Sequence, residues 1–187
     1  YRLPLEMGSQ AVPTSQRTVT GAGCALLSGS GCADKGSLSN VCIAGGVIGR
    51  VVDLGITDAA NMGAAMAPAA ADTLKRHLFD TGRTVEDYDL IITGDLGSFG
   101  SELFLMLLND AGIDAGTRHL DCGNIIFSAE QNAVCGGSGC GCSAVTMNGY
   151  ILPRMDAGEY SRILFMATGA LMSPTAGLQG ESIPGIA

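Results

Sequence analysis

The sequence predicts a layered α/β fold, and three observations carry that reading. A short apolar run, Tyr88 to Asp95, ends in small and acidic residues and passes straight into a helical pattern, the strand–turn–helix unit of helix-flanked sheets. A second apolar run, Arg162 to Thr168, follows another helical pattern, so strands and helices alternate. The composition is 47% hydrophobic with 28 glycines and no Trp in 187 residues, which suits an interior of closely approaching backbones. No internal repeat, low-complexity tract or linker divides the chain, so residues 1–187 are expected to be one body.

Residues 1–17 hold Pro4, Gly8, Ser9, Pro13 and Ser15 with little periodicity and read as an irregular lead-in. Thr18 to Ser28 and Leu38 to Asp53 are β-branched and apolar with internal glycines. They predict two twisted strands, joined as an antiparallel hairpin by the turn chemistry of Gly29 to Gly36. Pro68 suits a first helical turn, and Ala69, Ala70, Ala71, Leu74, His77 and Leu78 continue at helical spacing to a stop at Gly82. His77, beside Lys75 and Arg76, reads as solvated. After the strand at Tyr88 to Asp95, Leu103, Met106 and Leu107 mark a helix from Phe99 to Ala111, stopped by Gly112. His119 to Gly123 reads as a turn whose His and Asp satisfy backbone groups. A third helix runs from Ser143 through Leu152, with Pro153 at a weak final turn or kink, and leads into the strand at Arg162 to Thr168. The methionines Met62, Met66, Met106, Met147 and Met155 fit core filling at helical spacing.

A net charge of −8 without any Lys/Arg cluster excludes nucleic acid and anionic lipid as generic electrostatic partners, so a bound anion must be held by a local site. No apolar run approaches ~18 residues and no signal-peptide pattern opens the chain, which predicts a soluble protein. Both ends read as cut, since Tyr1 replaces an initiator Met and Ala187 closes a hydrophobic approach; a fragment is expected. Seven scattered cysteines suggest thiols in a reducing cytosol rather than a disulfide framework.

Cys135-Gly136-Gly137-Ser138-Gly139-Cys140-Gly141-Cys142-Ser143-Ala144 is the most unusual segment, a glycine-rich turn delivered into a helix. Its backbone amides are suited to cradle a carboxylate, phosphate or oxyanion, the alternative being that the glycines only allow close packing. Cys135, Cys140 and Cys142, with Cys122 and His119, lack the paired knuckle spacing of structural zinc, so buried thiols are expected and no metal or cofactor. Asp95 stands where sheet folds put ligand-contacting groups, and it also suits capping of the next helix.

Four stretches together carry a resemblance: Asp53-Leu54-Gly55-Ile56-Thr57-Asp58; Met62 to Thr73; Gly136 to Val145; and Ala167-Thr168-Gly169-Ala170-Leu171-Met172-Ser173-Pro174 with Gly180-Glu181-Ser182-Ile183-Pro184. The chain resembles the stage V sporulation protein AD family of endospore-forming bacteria, along essentially all of its length. The resemblance implies a thiolase-like fold, α-β-α-β-α when intact, of which this chain is about the second half. It implies binding of dipicolinic acid and participation in its uptake, as the calcium chelate, into the developing spore. It further implies a homodimer, other stage V sporulation membrane proteins as partners, and a place in the cytoplasm or forespore, peripheral to the spore inner membrane. In condensing enzymes of the thiolase superfamily the second half supplies a His and an Asn. Thr93-Gly94-Asp95 and Gly136-Gly137-Ser138 stand in their places here, which implies a non-catalytic scaffold that lacks the general base and part of the oxyanion stabilisation. The ligand site expected on these grounds comprises Thr93, Gly94, Asp95, Gly136, Gly137, Ser138, Cys140, Ser143, Thr168 and Gly169, with no catalytic residue. Two rivals stand beside it: an acyl-CoA-dependent condensing enzyme or acyltransferase using another acid–base set such as His119 with a cysteine, and a purely structural subunit of a transport complex.

Overall fold

The computed structural model describes residues 13, 14, 16–19, 21–25, 39 and 41–187. The first element is the strand β1, Arg17–Thr18. Helix α1, Met62–Thr81, begins where the Asn61 side chain accepts from the Ala64 amide and ends at Gly82, whose left-handed backbone (φ 64°) lets its N–H reach the Leu78 and Phe79 carbonyls. Pro68 is therefore not in the first turn as its residue type suggests. It lies inside the helix, where the missing N–H leaves one helical bond unmade. The earlier start is secured by Asn61 and by Gly63, where an added Cβ would lie 2.7 Å from the Leu96 carbonyl and 2.9 Å from the Gly100 Cα.

Strand β2, Leu90–Thr93, leads into α2, Gly97–Asn109, and then into β3, His119–Asp121, which is continuous with the short helix α3, Cys122–Ile125. His119 to Asp121 is thus a strand rather than a turn, because it pairs in parallel with β2 from Ile91 opposite His119 to Thr93 opposite Asp121. After β4, Gly137–Ser138, the third predicted helix appears as α4, Cys142–Thr146, a π-helical turn over Met147–Ile151, and α5, Leu152–Asp156. The weak turn expected near Pro153 is this wider π-helical turn just ahead of it. Strand β5, Ile163–Met166, pairs in parallel with the other side of β2, giving the order β3-β2-β5. Strand β6, Gly169–Ala170, the short helix α6, Pro174–Leu178, and β7, Gly185–Ile186, close the chain, with β6 and β7 antiparallel. Strand β1 lies parallel to β4.

Ile91 and Ile92, neighbours on β2, point to opposite faces and are both fully buried. Ile91 joins Met66, Leu74, Leu96, Phe104 and Leu108 under α1 and α2, whereas Ile92 joins Cys122, Cys142 and Ile151. The sheet is therefore covered on both faces, and the mixed α/β architecture agrees with the predicted class.

Several local expectations change. The hairpin turn Gly29 to Gly36 lies outside the described residues; of the strand predicted over Thr18 to Ser28, Thr18 belongs to β1, which pairs in parallel with β4, and residues 21–25 form no strand. Across residues 41–53 no strand forms; Val52 makes one antiparallel bridge to Gly185, while Ile43 and Ile48 are exposed. Gly45 and Gly46 supply no side chains there and face open space, so this glycine run has nothing to anchor a ladder. His77 is buried, with Nε2 2.6 Å from the Tyr88 hydroxyl, because the turn after α1 folds Tyr88 against it. Met106 is exposed, and so are the Cys24 and Cys140 thiols, whereas Cys122, Cys135 and Cys142 are buried. Cys42 is disulfide-bonded, so the thiol expectation does not extend to it. Among the described residues no helix is long and apolar enough to cross a membrane.

Candidate functional site

The parallel register brings the carboxyl ends of β2, β3 and β5 to one level, where Thr93 faces Asp121 on one side and Met166 on the other. Asp121 organises the exit from β2. Its Oδ1 accepts from the Thr93 hydroxyl (2.6 Å) and the Leu96 amide (2.8 Å), and its Oδ2 accepts from the Gly97 amide (3.0 Å). The cap of α2 is therefore Asp121, reached across the sheet, and not Asp95. Burial pushes the Asp121 carboxyl up to about 6, against the pull of these three bonds. His119, on the same strand, has Nε2 2.9 Å from the Thr93 hydroxyl oxygen and its ring 4.9 Å from that of Phe104. Burial holds this imidazole down to about 4. Since the single Thr93 proton goes to Asp121, the network assigns the His119 proton to Nε2, donating to Thr93.

Asp95, two residues beyond β2, is buried and ties three elements together. Its Oδ2 accepts from the Ser138 hydroxyl (2.6 Å) and the Gly139 amide (3.0 Å), and its Oδ1 accepts from the Thr168 hydroxyl (3.0 Å). The Thr168 oxygen in turn accepts from the Asp95 amide (3.0 Å). Gln16 braces the same junction, its Nε2 donating to the carbonyls of Asp95 (2.9 Å) and Gly137 (3.0 Å).

Above this carboxylate opens a cavity of about 340 Å³, at the low end of small-molecule sites. Asp95, Cys140, Ser143, Thr168 and Gly169 line it, joined by Met66, Gly139 and Ala170. The other expected residues lie behind the wall. Thr93 is fully buried on Asp121 and His119, and Gly94 packs so tightly that an added Cβ would meet the Thr168 hydroxyl at 2.7 Å. Gly136 abuts Gly123, Gly137 pairs with β1, and Ser138 is fully buried as a donor to Asp95. The glycine turn does present an amide to a carboxylate, but the one held by Gly139 belongs to the protein itself. Met66 reads in sequence as core filling, and Ala170 carries no signal of its own. Gln16 carries no local signal, since its partners are distant in the chain.

The thiols are disposed quite differently from one another. Burial pushes Cys122 up to about 12, the wrong direction for a nucleophile, and Cys135 Sγ accepts from the Ser98 hydroxyl and the Phe99 amide. Cys140 alone of the expected thiol group stands exposed at the cavity. Among the described residues no group of three or more His, Cys, Asp or Glu side chains is placed to hold a metal ion.

Comparison with known proteins matches residues 1–187 to the stage V sporulation protein AD (SpoVAD) family. Stage V sporulation protein AD of Bacillus subtilis (strain 168) is 45% identical over 187 residues, which is 100% of this chain and 53% of that protein. The chain thus spans about half the length of the curated relative it matches.

Proposed function

The chain belongs to the stage V sporulation protein AD family, and from that premise we propose that it serves sporulation as a dipicolinate-binding protein, on a thiolase-like scaffold without condensing activity. Its role is uptake of dipicolinate, free or as the calcium chelate, into the developing spore, together with membrane proteins of the same sporulation stage. The intact protein works as a homodimer at the periphery of the spore inner membrane.

The observation that carries this reading is the cavity at the strand ends, with Asp95 at its wall and Ser143, Thr168 and the Gly139 turn around it. A flat pyridine with two acid groups needs a slot of this scale with a polar edge; the Ser143 hydroxyl stands at that edge, while the Thr168 hydroxyl and the Gly139 amide hold Asp95 in place beside it. Asp95 favours the calcium chelate over the free dianion, since like charges repel across the cavity. The condensing-enzyme alternative finds little support in His119 and Cys122: the imidazole is turned to Thr93 and the thiol is pushed up by burial.

Calorimetric titration of the intact protein with dipicolinate and with calcium dipicolinate tests the reading, beside an assay for acyl-CoA condensation and thiolysis. Saturable heat with either form of dipicolinate and no turnover is the expected result. Turnover without heat overturns the proposal in favour of an enzyme, and neither response, with retention by membrane subunits alone, overturns it in favour of a structural subunit.

A further inference from the structure

Asp121 lies outside the cavity, yet it fixes the turn that feeds it through three hydrogen bonds. It is 2% exposed, and both of its oxygens are spent on one stretch of backbone and side chain, from Thr93 to Gly97. Asp95 sits in the middle of that stretch. Held from below by Asp121, its carboxylate meets the Ser138 hydroxyl and the Gly139 amide on one oxygen and the Thr168 hydroxyl on the other. The support is also steric, since a Cβ on Gly97 would lie 2.3 Å from the Cys135 carbonyl and one on Gly123 would lie 2.9 Å from Asp121 Oδ2. The turn, the glycine loop and Asp121 therefore have little room to move independently.

We infer that Asp121 is the positioning residue of the ligand site: through Thr93, Leu96 and Gly97 it sets where Asp95 stands against Thr168 and the Gly139 loop. The inference rests on the reading that the cavity binds dipicolinate. A carboxylate suits the task because two N–H groups and one hydroxyl converge on it, and only an acceptor on both oxygens satisfies all three. Asparagine would turn an NH₂ toward the Gly97 amide or toward Leu96 and Thr93, so the turn must shift. Outer partners that orient the ligands of a metal site change affinity by roughly 10–100-fold when lost, and the expectation for Asp121 is set on that scale by analogy.

A second carboxylate allows this role to be separated from general support of the fold. Asp89 precedes β2 at the opposite end of the same sheet, and its Oδ2 accepts from the Ser161 (2.6 Å) and Arg162 (3.0 Å) amides. It ties the leading ends of β2 and β5 together, whereas Asp121 ties β3 to the exit of β2, and it lies far from the cavity in register.

The test is calorimetric titration of the intact protein with calcium dipicolinate for the parent and for Asp121→Asn, Asp89→Asn, Thr93→Val and Thr93→Ser, with amide hydrogen exchange read at Leu96 and Gly97. Asp121→Asn is expected to weaken binding at least tenfold and to speed exchange at those two amides. Asp89→Asn is expected to stay within about twofold of the parent. Should Asp121→Asn not fold, Thr93→Val carries the test: it weakens binding, and Thr93→Ser restores most of the loss by returning the hydroxyl. Unchanged affinity in Asp121→Asn, or an equal loss in Asp89→Asn, overturns the inference while leaving dipicolinate binding intact. A parent protein that gives no heat overturns the binding reading and this inference with it.

Discussion

Replacing His119 with Phe should change how stability depends on pH, because a half-buried imidazole and a buried carboxyl, whose contributions run in opposite directions, share one hydroxyl. The His119 imidazole falls from its ordinary 6.5 to about 4 through burial. Between those values the unfolded chain takes up a proton that the native site refuses, so native stability is lost as pH falls from 6.5 to 4, by about 3 kcal/mol in all. Asp121 works the other way. Burial raises its carboxyl from 3.8 to about 6, so between pH 6 and 3.8 the native state keeps a proton that the unfolded chain releases. Native stability then grows as pH falls, again by about 3 kcal/mol. In the parent protein the two contributions nearly cancel between pH 6 and pH 4. Neither shift has the other residue among its causes, and a Phe ring keeps the contact with Phe104, so His119→Phe removes one contribution and leaves the other. Urea unfolding followed by circular dichroism at pH 7, 6, 5 and 4 should show the variant gaining about 3 kcal/mol on the parent as pH falls from 7 to 4. Titration of the surface acids drops out of that difference. Two curves that run parallel within about 0.5 kcal/mol would refute the half-buried, neutral imidazole on which the proton assignment rests.

Three further outcomes follow from the same geometry. Asp95→Asn leaves three donors facing one carbonyl oxygen and an NH₂ group, so urea unfolding at pH 7 should show a loss of about 1–3 kcal/mol; an unchanged midpoint would mean that the junction of β2, the glycine loop and Thr168 is not held by this carboxylate. Gly63→Ala drives a methyl into the Leu96 carbonyl and the Gly100 backbone, and thermal melting should reveal a destabilisation of about 1–3 kcal/mol, whereas a melt at the parent temperature would contradict the close approach of α1 and α2. Iodoacetamide at neutral pH should label Cys140 and spare Cys122 as long as the protein is folded, with calcium dipicolinate slowing the first reaction; mass spectrometry finding Cys122 labelled at a similar rate would refute its burial, and no protection of Cys140 would count against ligand in the cavity.

Much of the fold was legible because periodicity and stop signals act locally. The runs around Leu90 to Thr93 and Ile163 to Met166, the helix ending at Gly82 and the irregularity beside Pro153 all depend on residues within a few positions of one another. Three things were not local. The role of Asp121 depends on lying opposite Thr93 in a parallel sheet, and a three-residue strand such as His119 to Asp121 has too few positions to display a period. His77 looks solvated beside Lys75 and Arg76 because its partner, Tyr88, arrives only after the chain turns at Gly82. The run at residues 41–53 has strand-like composition, but composition cannot supply the neighbouring strand that a ladder needs. In the site, Asp95, Cys140, Ser143, Thr168 and Gly169 reach the cavity, while Thr93, Gly94, Gly136, Gly137 and Ser138 form its support. That division is one of depth, and sequence spacing does not encode depth.

The state of Asp95 bears on what the cavity can do. A general base must have a lone pair free for the substrate's proton, within about 3 Å of it. Both Asp95 oxygens already accept hydrogen bonds from the protein, two on Oδ2 and one on Oδ1, and the hydroxyls and amide that supply them come from two other elements. Three of the carboxylate's roughly four acceptor positions are thereby filled, which leaves one on Oδ1 for a donor arriving from the cavity. The same arrangement suits a binding site well, since an acid anchored by three donors stays in place whether the cavity is empty or full and needs no reordering when ligand enters. It also presents negative charge to the cavity without the freedom to move aside. A ligand whose own acid groups are neutralised by a bound cation meets no such penalty, and that physical difference is what a side-by-side titration with free and calcium-bound dipicolinate would measure.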